Sequence, residues 1–115
     1  MPVIKSYNFG RMVIDGSTYT KDVIIFPDGK ILSPWWRKQG HVLAIEDIQE
    51  LLATGPEIII CGTGAMGVMR PAANLKEYLA ESAVEFIALR SSKAVETYNQ
   101  MSGTKRVGGC FHLTC

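Results

Sequence analysis

A chain of 115 residues, 47% hydrophobic and 20% charged, has the size and composition of one globular domain and lies far from the regime that keeps chains disordered. Twelve Lys and Arg against eleven Asp and Glu leave a formal charge of +1, which excludes a global field for nucleic acid or an anionic membrane. The longest apolar runs, such as residues 23–26 and 58–61, are strand-sized and far below the roughly 20 residues of a bilayer-spanning helix, so no membrane span is expected.

Residues 1–7 lack the charged region, apolar stretch and cleavage site of a secretory signal, and cytoplasmic residence is the expectation. Three antiparallel strands follow, over residues 9–14, 19–26 and 30–33. They are separated by Asp15-Gly16 and Pro27-Asp28-Gly29, whose Asp-Gly pairs supply the positive φ that tight turns require. Residues 34–41, with Pro34, the adjacent Trp35 and Trp36, Arg37, Lys38, Gly40 and His41, break the regularity and read as a loop. From Ile45 the period changes, since Ile45, Ile48, Leu51 and Leu52 recur at helical spacing until Gly55-Pro56 stops the helix.

The remainder alternates. Residues 57–61 form a strand, 72–81 a helix with Leu75, Tyr78 and Leu79 on one face, and 84–89 a strand. Ser91 or Ser92 caps a third helix carrying Ala94, Val95, Tyr98 and Met101, and a last strand covers residues 107–113. Strands joined through single helices pair in parallel by right-handed crossovers. The fold class is therefore a single α/β domain over residues 1–115: an antiparallel β-meander followed by βαβαβ-type parallel strands, in mixed sheets with flanking helices.

Gly62-Thr63-Gly64-Ala65-Met66-Gly67 fits G-x-G-x-x-G after a strand. Pro71 delays the helix past the glycines, and Arg90 stands where an acidic ribose partner would follow the next strand, so a tight turn is favoured over a nicotinamide site. A broader reading survives. The carboxyl ends of the parallel strands bring together Gly62, Thr63, Gly64 and Gly67, then Arg90, Ser91, Ser92 and Lys93, then Thr114 and Cys115, an edge compatible with a small anion such as phosphate or carboxylate. The alternative is that the serines cap a helix and the cations are solvated.

Three cysteines without C-x-x-C spacing argue for reduced thiols. Alternation places Cys110, His112 and Thr114 on one face of the last strand and Phe111 and Leu113 on the other. Cys110, His112 and Cys115 make a poor tetrahedral set and no third group orients a Cys115/His112 pair, so no metal, cofactor or thiol catalysis is expected. Asp15 and Asp28 lie in turns, Glu46, Asp47, Glu50, Glu77, Glu81 and Glu96 on helices, and Glu57 and Glu85 at the opposite strand ends, which leaves a paired-carboxylate site no location. Trp35, Trp36, Arg37 and His41 combine aromatic rings with arginine in an irregular loop, the composition of an interaction hot spot; packing of both tryptophans over the meander is the alternative.

Trp36-Arg37 with His41, the Gly62-Thr63-Gly64 turn, Ala94 with Tyr98-Asn99, and the ending 109–115 with His112, Thr114 and Cys115 together resemble the Mth938-like family, a domain of unknown function (DUF498). The resemblance covers nearly the whole chain and implies an α/β fold with mixed sheets. The family includes mitochondrial complex I assembly factor 3 and an adipogenesis-associated protein, which implies a binding or assembly role and carries over no catalytic residue. The leading expectation is a non-enzymatic interaction or assembly module with an unidentified protein partner, contacting through Trp35, Trp36, Arg37 and His41. A small-anion or nucleotide-binding protein at Gly62–Gly67, Arg90 and Ser91 is the alternative.

Overall fold

A computed structural model describes residues 2–115. Strands β1 (Ile4–Asn8), β2 (Arg11–Ile14) and β3 (Ser17–Tyr19) pair antiparallel as a small three-stranded sheet. The meander thus starts one strand earlier than the sequence pattern suggests, with Phe9 and Gly10 in a turn. In the turn from β2 to β3 it is Asp15 that takes the left-handed conformation (φ 51°), and its Oδ1 accepts the Val3 amide at 3.1 Å.

The expected strand over residues 19–26 is broken. Tyr19 ends β3 in the small sheet, residues 20–22 leave the ladder, and β4 (Val23–Ile25) begins in a second sheet, where it forms a hairpin with β5 (Ile31–Leu32). Gly29, at φ 95°, supplies the turn of that hairpin. At the break, the Asp22 carboxylate meets the end of a distant strand, as described below.

After the loop come β6 (Val42–Leu43), a single 3-10 turn at Ile45–Ile48 and the short α1 (Gln49–Ala53), so the helix expected from Ile45 opens as a 3-10 turn and becomes α only from Gln49. Then follow β7 (Ile58–Thr63), β8 (Arg70–Pro71), α2 (Ala73–Glu81), β9 (Glu85–Leu89), α3 (Ser91–Met101) and β10 (Val107–His112). The large sheet has the order β5-β4-β10-β7-β9, with β10, β7 and β9 parallel and β4 antiparallel to β10. The parallel trio is the one read from the alternating elements. The two-residue strands β6 and β8 pair in parallel beside it.

Side-chain alternation in the central strands divides the core in two. Val23, Ile25, Ile58, Ile60 and Phe111 face α3 and the small sheet, meeting Ala94, Val95 and Tyr98 on one side and Ile4, Met12 and Ile14 on the other. Ile24, Ile59, Cys61 and Cys110 face α1, α2 and the loop, meeting Leu51, Leu75, Leu79 and Trp35. Each of these large side chains is fully buried or nearly so, contributing about 1.5–3 kcal/mol through removal from water. Gly108 admits α1 against the sheet: a Cβ there would lie 2.7 Å from Leu51 Cδ1.

Candidate functional site

Three segments meet where β10 ends: the break before β4, the loop of residues 33–41, and residues 112–114. Asp22 joins them. Its Oδ1 accepts the Leu113 amide at 2.8 Å, and its Oδ2 accepts both Arg37 Nη2 and His112 Nδ1 at 2.8 Å. A carboxylate has no proton to give, so His112 Nδ1 carries the hydrogen and Nε2 is the ring nitrogen left over for another partner. Arg37 Nη2 and His112 Nδ1, 3.1 Å apart, are two donors converging on one oxygen rather than a pair bonded to each other. Burial alone would raise the Asp22 pKa, but hydrogen bonds from His112, the Leu113 amide and Arg37 outweigh it and hold the carboxyl below its ordinary range.

This network is withdrawn from water. The side chains of Arg37, His112 and Asp22 are 5%, 8% and 15% exposed. Burying ions at this depth is unfavourable unless their hydrogen-bonding capacity is met, and here most of it is. Arg37 Nε donates to the Gly40 carbonyl at 2.9 Å, and the guanidinium lies 4.7 Å over the Trp35 ring. Three buried side-chain atoms keep no partner among the described residues: Arg37 Nη1, His112 Nε2 and the Tyr98 hydroxyl. Tyr98 belongs to the core, where burial pushes its pKa up to about 12. The other two belong to residues that line a cleft of about 270 Å³, together with Lys21, Asp22, Trp36 and Thr114. A larger groove of about 530 Å³ beside α2 and β9 is lined by Lys76, Ala80 and Phe86 and carries no buried polar cluster.

The loop that supplies half of the cleft is tied at many points. Trp35 donates its amide to Asp22 O at 2.9 Å and its indole N–H to Asp47 O at 2.9 Å. Asp47 accepts the Lys38 amide on Oδ1 and the Ala44 amide on Oδ2. The Arg70 amide donates to His41 O, continuing the β6–β8 pair. Trp35 is therefore 3% exposed and part of the core, while its neighbour Trp36 points the other way and is 75% exposed. As contact surface the loop offers Trp36 and the exposed His41; Trp35 is an internal support, and Arg37, though its side chain is buried, lines the cleft beside Trp36. The His41 ring meets His112 edge-on at 5.6 Å.

The glycine turn lies beside the same chain end and is closed in a different manner. Gly64, at φ 106°, donates its amide to Ser91 Oγ at 2.9 Å, and Ser91 Oγ donates to His112 O at 2.6 Å. Ala65 donates to Thr114 O, Val68 to Cys115 O and Gly67 to Gly64 O. These four amides are engaged within the protein and are not offered to a ligand. Thr63 is buried and donates Oγ1 to Leu89 O, whereas Arg90, Ser92 and Lys93 are exposed. Ser91 does not cap α3, since Arg90 occupies the N-cap position and no side chain caps it. Its hydroxyl instead ties the turn to β10. Gly62 is packed so closely that a Cβ would lie 2.7 Å from that hydroxyl.

Cys61 and Cys110 sit opposite each other on β7 and β10, both buried. Their mutual hydrogen bond and burial push the Cys110 thiol well above its ordinary pKa, which suits inert core thiols. Cys115 is partly exposed. Among the described residues no three His, Cys, Asp or Glu side chains cluster as metal ligands, and no helix is long and apolar enough to cross a membrane.

Thr114, assigned from sequence to the anion edge, thus stands in one cleft with Trp36 and Arg37, assigned to a contact loop. The residue that unites them, Asp22, carries one signal in the sequence: a lone carboxylate directly before the wholly buried Val23, Ile24 and Ile25.

The same architecture recurs in solved structures. The conserved hypothetical protein PH1505 from Pyrococcus horikoshii is 24% identical, with a TM-score of 0.84 over 97% of this chain and 98% of that one. MT938 is 28% identical, with a TM-score of 0.83 over 100% of both chains. A Mth938-like domain from Bordetella pertussis is 16% identical, with a TM-score of 0.65 over 97% of this chain and 85% of that one. Residues 4–112 match the family model described as "Protein of unknown function (DUF498/DUF598)". With nearly its whole length matched, and with Mth938-like structures sharing its fold, the chain belongs to the DUF498 family of Mth938-like proteins.

Proposed function

We propose that the protein is a non-enzymatic interaction module that seats a partner protein at the cleft between the loop of residues 33–41 and the end of β10. The observation that carries this reading is Trp36. A tryptophan 75% exposed on a loop clamped by Asp22, Asp47 and β8 offers a large, rigid apolar contact. Tryptophan and arginine at the centre of a pre-organised patch are what binding hot spots are made of, and rigidity lowers the entropy lost on association.

The reading is tested by capturing partners with the wild-type protein and with Trp36→Ala, then purifying a captured protein and titrating it back. Loss of a hot-spot tryptophan raises the dissociation constant by about tenfold or more. A purified partner that binds wild type and Trp36→Ala equally well would rule out the cleft as the contact.

A further inference from the structure

We infer that the cleft holds a carboxylate group of that partner between Arg37 and His112, an inference that rests on the interaction reading above. Two side chains at least nine-tenths buried line the cleft, and each keeps one nitrogen without a partner: Nη1 of Arg37 and Nε2 of His112. Buried polar atoms in folded proteins are almost always satisfied, so a pair of them at one cleft marks where an outside group completes the network. Nη1 belongs to a charged guanidinium, and such donors bond most strongly to anionic oxygen. Asp22 does not compete, because Oδ1 and Oδ2 are already taken by the Leu113 amide, Arg37 and His112. The remaining charged side chain of the lining is the cation Lys21.

With Nδ1–H fixed on Asp22, Nε2 bonds a carboxylate oxygen only through a proton between them. In the bound state one carboxylate oxygen accepts Arg37 Nη1–H, and that proton lies between the other oxygen and Nε2. The groups that face His112 are Asp22, Arg37 and His41, with Lys21 on the same cleft; Tyr7 of β1 donates its hydroxyl to the carbonyl of the next residue, Leu113.

The test follows the His112 ring nitrogens of the full chain by NMR during titration with sodium acetate. Sodium chloride serves as the ionic control and acetamide as the neutral isostere. The expected result is a saturable shift at His112 with acetate only, abolished in His112→Gln when read from the Thr114 amide. No saturation by acetate, an equal response to chloride, or an equal response to acetamide overturns the carboxylate assignment without any variant having to fold. A capped tripeptide with a central glutamate then separates the sources: binding tighter than acetate and weakened by Trp36→Ala supports a protein carboxylate, and binding no tighter than acetate overturns it in favour of a free acid. Failure of acetate with Trp36-dependent partner binding intact sinks this inference alone. Saturable acetate binding alongside Trp36-independent partner binding keeps the carboxylate site and removes its protein source.

Discussion

Two irregular segments flank the end of β10, and they treat their polar groups in opposite ways. The glycine turn after β7 gives its amides to the carbonyls of residues 64, 114 and 115 and to Ser91 Oγ, so its hydrogen bonds stay inside the protein. The loop of residues 33–41 is held as firmly, yet leaves Arg37 Nη1 without a partner, His112 Nε2 beside it likewise, and Trp36 in solvent. The glycine motif ties β7 to the end of β10 through these bonds. The segment without a motif holds the unpartnered guanidinium nitrogen, and the proposed contact rests on that difference.

The contrast can be broken most forcefully at Asp22. Asp22→Ala leaves the buried Arg37 and His112 without their shared acceptor, and unfolding in guanidinium is expected to show a loss of about 3–5 kcal/mol. The same contribution has a pH signature. Because the folded-state pKa of Asp22 is depressed, its stabilisation is complete above the unfolded value near 3.9 and is lost as pH falls through the folded value. Wild-type stability should therefore drop on acidification below about pH 5 by an increment that Asp22→Asn does not show.

A smaller effect tests the glycine turn. Gly64→Ala places a methyl group against the carbonyls of Thr114 and Cys115 at a φ that disfavours side chains, and thermal unfolding should reveal a cost of about 1–3 kcal/mol. If Gly64→Ala were neutral, the turn would be looser than its hydrogen bonds imply. The smallest effect belongs to Trp36→Ala, expected to shift stability by less than about 0.5 kcal/mol because the ring is in water. A larger loss would make Trp36 a structural residue and remove the asymmetry between the two segments.

The sequence pattern reveals those parts of the fold that local periodicity and turn chemistry govern. Residues 57–61, 84–89 and 107–113 read as parallel strands because single helices separate them, and β7, β9 and β10 occupy those positions. Gly29 and Gly55 adopt positive φ where the pattern places turns. The polar Thr20, Lys21 and Asp22 separate Tyr19 from Val23 to Ile25 where the ladder breaks, but the tertiary partners of Asp22, 90 and 91 residues away at His112 and Leu113, follow from no local pattern. In the candidate site, Trp36, Arg37, His41 and Thr114 are visible in the sequence as residues out of place, whereas their meeting is not, because no spacing rule connects position 37 to position 112. Ser91 shows the same limit: a serine before a helix reads as a cap, and only the nearness of Gly64 and His112 gives its hydroxyl other work.

β10 is the last strand in the chain and yet lies between β4 and β7 in the large sheet. Every other strand of that sheet has left the ribosome before the one that separates its two halves. Contacts between such distant positions form late and slowly. Until β10 inserts, Asp22 and Arg37 have no His112 or Leu113 to meet, and the cleft does not exist. The cleft is in this sense a certificate of completed folding: the partner proposed for it would engage only molecules whose central strand is in place.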